Sequence, residues 1–279
     1  MKSTLPMAGL LVAAVCVCSC KKNSSPTADN GTIQKQKLLL QTIQVFMSKT
    51  LMTDYTYDSQ NRLISMKAGS LTGEPTVTTY SYAADNRLSS TSATTTSAGI
   101  VYNTVSTYTY DDNRSITHLN VKYYKSNTVY QEANTDYLFV GSKISEVHSD
   151  NGIVVKSTYD ANGNVIKTED NNGRTTISTY LDNKNLALRY IIPGINSTPG
   201  PNLISRTIST STQRTDTTTY TYTFDARGYV TSVFMRLSAD TISNIKTNYA
   251  YDMDGYVTAQ SNIYVNAPTA NQKFTFVYK

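Results

Sequence analysis

Polar and apolar residues alternate along this chain with a period of two. Within 219–224, Tyr220, Tyr222 and Phe224 fall on one side and Thr219, Thr221 and Thr223 on the other. That is the pattern of a strand with one face packed and the other in water, and Thr and Tyr both favour strands. Residues 33–47 could be helical by propensity. A strand is predicted there instead, because Ile43, Val45 and Met47 alternate and Thr42, Ile43 and Val45 are β-branched. The Ser/Thr tracts at 89–97 and 209–219 read either as long solvent-facing strand pairs or as disordered hairpin tips. No stretch shows helical periodicity.

A repeated unit punctuates the strands, clearest as Tyr249-Ala250-Tyr251-Asp252-Met253-Asp254-Gly255-Tyr256-Val257. The aromatic before each turn marks the copies: Tyr57, Tyr82, Tyr110, Phe139, Tyr159, Tyr180, Phe224 and Tyr251, with Phe276 as a last copy lacking a turn. Spacings of roughly 20 to 30 residues that drift, with one wider gap after Tyr180, fit hairpins with variable outer loops rather than a fixed-length solenoid. The turn has a mechanism. Asp58 opens it, where a carboxylate accepts from backbone N–H groups. Three residues on stands Asn61, matched by Asn86, Gly163, Gly228 and Gly255. Asn and Gly tolerate the positive φ that a type I turn followed by a bulge requires. Asp111-Asp112-Asn113-Arg114 reads as one residue short, Leu181-Asp182-Asn183-Lys184 as slipped, and Val140-Gly141-Ser142-Lys143 as a copy without Asp.

The wider gap holds an insert at 183–204. It includes Leu186-Ala187-Leu188-Arg189-Tyr190-Ile191-Ile192-Pro193-Gly194 and then Pro199-Gly200-Pro201. Pro and Gly break it as a central strand. It is expected to be a loop packing its Leu and Ile side chains into an open end of the sheet, or else a binding loop.

The N-terminus has a different character. Lys2, then the apolar run Leu10 to Cys18, describe a secretory signal peptide whose run is too short to span a bilayer. Val17-Cys18-Ser19-Cys20 resembles the bacterial lipobox, which implies cleavage before Cys20 and acylation of its thiol and amine. The plainer alternative is an ordinary signal peptide with incidental cysteines. The expected organisation is a lipoprotein signal peptide at 1–19, a lipidated Cys20 with a flexible polar tether through 32, and a single β-repeat domain at 33–279.

Composition narrows the chemistry. Of 279 residues 39% are hydrophobic and 16% charged, enough for one large all-β domain. The formal charge is +5, but the bases are scattered, so nucleic acid is not expected as a partner. Cys16, Cys18 and Cys20 are the only cysteines, which excludes a disulfide framework or a thiol nucleophile in the domain. His118 and His148 are the only histidines; His118 reads as a strand residue and His148 lies beside the turn Ser149-Asp150-Asn151-Gly152. No HExxH pattern or nucleophile elbow accompanies them. Asp111/Asp112 and Glu169/Asp170 sit in or beside turns. Asp252-Met253-Asp254-Gly255 resembles the front of a calcium loop but lacks its later ligands. No metal, no cofactor and no catalytic residue are therefore expected.

The unit Tyr-x-Tyr-Asp-x-x-Gly-(Arg/Tyr)-(Leu/Val) resembles the YD, or RHS-type, repeat. With the lipobox at Cys20 and this length, residues 35–279 resemble a Bacteroidota family of secreted lipoproteins of unknown function with a porin-like β fold. The resemblance implies hairpin geometry; large RHS proteins enclose toxins, for which this chain is too short. An integral outer-membrane barrel would need an apolar outer face. The strand Val101 to Tyr108 instead places Asn103 and Thr107 on one side and Thr104 and Ser106 on the other. Phe274, Phe276 and Tyr278 alternate like the last strand of such barrels, and are expected to face the core.

The fold expected is all-β, an antiparallel meander of repeated hairpins making a strongly curved sheet or barrel-like structure. The function expected is that of a non-enzymatic binding module for a glycan or an envelope protein, lipid-anchored through Cys20, most simply at the outer membrane. A structural envelope component without a small ligand is the alternative, and an integral outer-membrane β-barrel a further one.

Overall fold

The computed structural model describes residues 37–70, 73–113, 115–184, 202–238 and 244–279. Cys20, the expected signal peptide and tether, and the insert residues 185–201 lie outside the described residues.

Eighteen strands are present among the described residues. The first nine are β1 (Leu39–Phe46), β2 (Lys49–Tyr57), β3 (Leu63–Ser70), β4 (Thr76–Tyr82), β5 (Leu88–Ser97), β6 (Ile100–Tyr110), β7 (Ile116–Lys125), β8 (Thr128–Val140) and β9 (Lys143–Ser149). The rest are β10 (Val154–Tyr159), β11 (Val165–Asp170), β12 (Thr175–Lys184), β13 (Asn202–Thr210), β14 (Thr215–Phe224), β15 (Val230–Leu237), β16 (Ile245–Tyr251), β17 (Val257–Tyr264) and β18 (Gln272–Tyr278). Each pairs antiparallel with the strands before and after it. β18 pairs with β1, from Leu39 opposite Tyr278 to Phe46 opposite Gln272. The sheet therefore closes into an antiparallel barrel of consecutive hairpins. Closure removes the two free edges that an open sheet would leave for aggregation.

Of the strand expected at 33–47, Leu39–Phe46 form β1 and Met47 enters the turn, with 33–36 outside the described residues; the Ser/Thr tracts lie in the paired strands β5, β13 and β14 rather than in disordered tips. Two register readings are corrected. The turn after Tyr110 is not short: Tyr110 pairs with Ile116, the same separation as Tyr57 with Leu63. The copy closing the barrel is marked by Tyr278, not Phe276, because Tyr278 is the residue opposite Leu39.

The two rims differ in their turns, although β9–β10 and β11–β12, on the rim of β1–β2, close on Gly152 and Gly173 as the turns of the other rim do. At one, β1–β2, β5–β6 and β7–β8 turn through two residues with positive φ: Met47 and Ser48 at 46° and 63°, Ala98 and Gly99 at 50° and 76°, Ser126 and Asn127 at 48° and 68°. This is the primed turn whose twist matches that of the strands. At the other, here the aspartate rim, the predicted positions all take positive φ: Asn61 60°, Asn86 67°, Gly163 91°, Gly228 84° and Gly255 82°. Just before each of these turns the register slips, for example between Thr56 and Tyr57. The slip sets Leu63 opposite Tyr57, on the same face of the wall.

On the even strands the tyrosine face is consistently less exposed than the Thr, Ser and Lys face. Side chains on a concave wall converge and shield one another, so the tyrosines face inward. The buried core is concentrated beside the aspartate rim, where Leu39 stands at the seam and Leu63, Ile116, Val230 and Val257 each follow a turn. Each strand makes its extensive contacts with its two neighbours, so no described strand crosses the interior.

Candidate functional site

The inner collar at the aspartate rim is the most regular side-chain arrangement in the molecule. Ladder pairing between hairpins stops short of this rim: β1 and β2 pair as far as Gln41 opposite Asp54. Across the gap, the Tyr57 hydroxyl donates to the Leu39 carbonyl at 2.8 Å. The same bond recurs from Tyr82 to Leu63, Tyr110 to Leu88, Tyr159 to Ile144, Tyr180 to Val165, Tyr222 to Ile204, Tyr251 to Val230 and Tyr278 to Val257, all at 2.7–2.8 Å. After the insert the register steps by two, so Tyr222 and not Phe224 supplies the hydroxyl on β14. On β8 the position belongs to Phe139, which has none. The hydroxyls satisfy backbone acceptors that the ladder leaves open, so the collar tyrosines are structural.

Above the collar, Asp58 Oδ1 accepts from the Gln60 and Arg62 N–H groups, both at 2.9 Å. Asp225 and Asp252 repeat this with Arg227 and Tyr229, and with Asp254 and Tyr256. The Arg62 backbone N–H is the main reason the Asp58 carboxyl lies below the usual carboxylate range. Cations then stack on the rings: the Arg62 guanidinium lies 4.7 Å from the Tyr82 ring centre and Arg87 4.9 Å from that of Tyr110. Lys37 bridges Asp252 and Asp254 at 2.8 and 2.7 Å, which fastens the start of β1 to the last turn. Asp252 and Gly255 thus take the turn positions expected from the sequence, and Lys37 holds both Asp252 and Asp254.

The outer wall is charged. Across β7 to β11, His118 meets Asp136 at 2.6 Å, Lys122 meets Glu132 at 3.7 Å, and Glu146 meets His148 at 2.7 Å and Lys156 at 3.4 Å. Lys167 pairs with Glu169. Lys67, Arg206, Arg236, Lys246 and Lys273 extend the exposed charge over further strands. The two histidines are therefore hydrogen-bonded to carboxylates on the outer wall, and Glu169 belongs to this wall while Asp170 opens a turn. Among the described residues no group of three or more His, Cys, Asp or Glu is placed to hold a metal ion.

Alternation alone reveals the tyrosine pattern. Which hydroxyls are occupied depends on the stagger between hairpins, which the sequence does not display. Lys37 and the cross-strand pairs His118–Asp136, Lys122–Glu132 and Lys156–Glu146 were missed for the same reason: their partners lie on other elements.

No protein-family model matches the chain, and no curated protein sequence matches it. Among solved structures it is similar to a porin-like protein from Bacteroides uniformis, with TM-score 0.42 and 16% identity over 87% of this chain and 96% of that one. It is also similar to a porin-like protein from Bacteroides vulgatus, with TM-score 0.37 and 11% identity over 88% and 99%. A likeness to TcdB2-TccC3 without its hypervariable C-terminal region has TM-score 0.23 and 12% identity, over 79% of this chain and 14% of that one. At these scores the likenesses carry no inference about activity.

Proposed function

We propose that this barrel is a lipid-anchored, water-exposed, non-enzymatic binding module of the cell envelope, tethered through Cys20 to the outer membrane and taking a glycan as its ligand. The charged outer wall is the observation that supports the water-exposed part of this reading. Lys or Arg on the lipid face of a membrane barrel costs about 2–4 kcal/mol at the midplane, and Lys–Glu ion pairs lie across this wall between β7 and β11. In water the same pairs are nearly neutral in energy. A barrel with this exterior needs a separate anchor, and the lipobox ending at Cys20 supplies one. The abundance of Tyr, Thr and Asn, with no group of three or more His, Cys, Asp or Glu placed to hold a metal among the described residues, favours recognition over chemistry.

Two measurements test it. Cys20→Ser should abolish incorporation of labelled palmitate and move the protein from the membrane to the soluble fraction. Retention of the variant in membranes through an alkaline carbonate wash would instead support an integral barrel. Titration of the wild-type protein with oligosaccharides tests the ligand, and absence of binding at millimolar concentration removes the glycan part.

A further inference from the structure

The collar tyrosines all give their hydroxyls to the backbone, but the next row of the inner wall does not. One pleat away from the aspartate rim, β4, β5 and β6 bring together Thr78, Tyr80, Thr91, Ser106 and Tyr108. Tyr80 stands opposite Thr91, and Thr91 opposite Ser106. Tyr108 is 8% exposed and Thr78 9%. None of the five side chains has a hydrogen-bond partner among the described residues, yet none of their hydroxyls is sealed from solvent, since the one sealed orphan is Asp216 Oδ1. On the outer face of the same strands Ser92 donates to Asn103 at 3.0 Å and Thr94 to Asn103 at 3.4 Å, while the Thr107 and Thr109 hydroxyls have no partner among the described residues.

The Tyr80 and Tyr108 hydroxyls are open to solvent and not engaged by the described residues, and a phenylalanine would fill the same wall without a polar tip. A row of unpartnered hydroxyls suits a ligand whose groups both donate and accept. Its strand neighbours at these levels, Ala93, Thr104 and Leu119, carry no charge, which suits a neutral ligand. Two aromatic rings beside the hydroxyls add an apolar surface of the kind that packs on the C–H face of a sugar ring. Tyr55 lies close on the other side, and its hydroxyl is already shared with Thr42 at 3.3 Å. Burial first, and then the neighbouring Tyr55 and Tyr108, push the Tyr80 phenol up to about 12, so it stays protonated and able to donate at any physiological pH.

We infer that the inner wall of β4–β6 is a sugar-binding site, in which Tyr80, Thr91, Ser106 and Tyr108 exchange hydrogen bonds with the hydroxyls of one neutral ring of a glycan. This rests on the reading of the barrel as a glycan-binding module and adds the place and the residues.

The test uses the full-length lipidated protein in detergent, with cellohexaose, maltohexaose and mannohexaose as probes in titration calorimetry. The double variant Y80F/Y108F removes two hydroxyls and keeps both rings. It should weaken binding of the bound probe by at least about tenfold with unchanged Tm, whereas T107V/T109V on the outer face should leave binding intact. In the wild type, saturating probe should protect Tyr80 and Tyr108 from nitration by tetranitromethane, read by mass spectrometry. A wild type that binds, with undiminished binding in Y80F/Y108F or without protection of these tyrosines, overturns the site and leaves the glycan reading standing. No binding of any probe at millimolar concentration overturns both.

Discussion

Tyr278 stands opposite Leu39 in the register in which Tyr57 stands opposite Leu63. The first pair joins strands from opposite ends of the barrel domain; the second spans one tight turn. The backbone continues the likeness, with Leu38 N–H donating to the Lys279 carbonyl at 3.3 Å and Lys279 N–H to that of Leu38 at 3.0 Å. Closure therefore uses one more copy of the repeat geometry, with the covalent turn replaced by the Lys37 clasp on Asp252 and Asp254.

The clasp can be tested at this seam. Lys37→Met should speed hydrogen exchange at the Leu38 and Lys279 amides while leaving exchange at Leu63 unchanged. Equal acceleration around the whole barrel would show that Lys37 contributes to global stability rather than to the seam.

The collar predicts a matched pair of substitutions. Tyr57→Phe removes one hydroxyl and leaves the Leu39 carbonyl short of its donor, which should cost about 0.5–1.5 kcal/mol. Phe139→Tyr supplies the hydroxyl missing from β8, in reach of Ile116, and should stabilise by about 1 kcal/mol. Denaturant midpoints at constant slope measure both.

Two glycines with nearly the same φ should respond differently. Gly173, at 81°, has nothing within 4 Å of where a Cβ would stand, so Gly173→Ala should cost only the left-handed strain, about 1 kcal/mol. At Gly255, at 82°, the added carbon would lie 2.7 Å from Tyr229 Cζ. That ring is stacked on Tyr251 with centres 5.2 Å apart, so Gly255→Ala should cost at least about 2 kcal/mol. Thermal denaturation of the two variants would distinguish the steric contribution from the strain they share.

Acid and alkali should act on different parts of the rim. The Asp58 and Asp160 carboxyls lie below their ordinary range, Asp58 chiefly through the Arg62 backbone N–H and Asp160 chiefly through the Asn164 side chain. Their stabilisation is present above the unfolded carboxyl pKa and is lost as pH falls through the folded values. The Tyr57 and Tyr110 phenols are pushed up to about 12, first by burial. Their contribution is complete below the unfolded value of about 10 and is lost between there and about 12. Spectrophotometric titration should thus show a late-ionising tyrosine class whose titration coincides with loss of near-ultraviolet dichroism.

The repeat itself was determined by local chemistry. Asp opening a turn, Asn or Gly three residues on, and a period of two on either side are short-range demands, and they fixed the hairpins, the positive-φ positions and the all-β class. Gly255 carries a second demand that no local rule contains, the Tyr229 ring above it. Other features depend on contacts between distant strands. Whether the sheet closes is decided by β1 meeting β18, and the role of each tyrosine by the stagger between hairpins. That stagger gives Tyr57 and Tyr82 backbone partners and leaves Tyr80 and Tyr108 without one. Alternation could place all four on one face, but only the three-dimensional register separates those that close the wall from those available to a ligand.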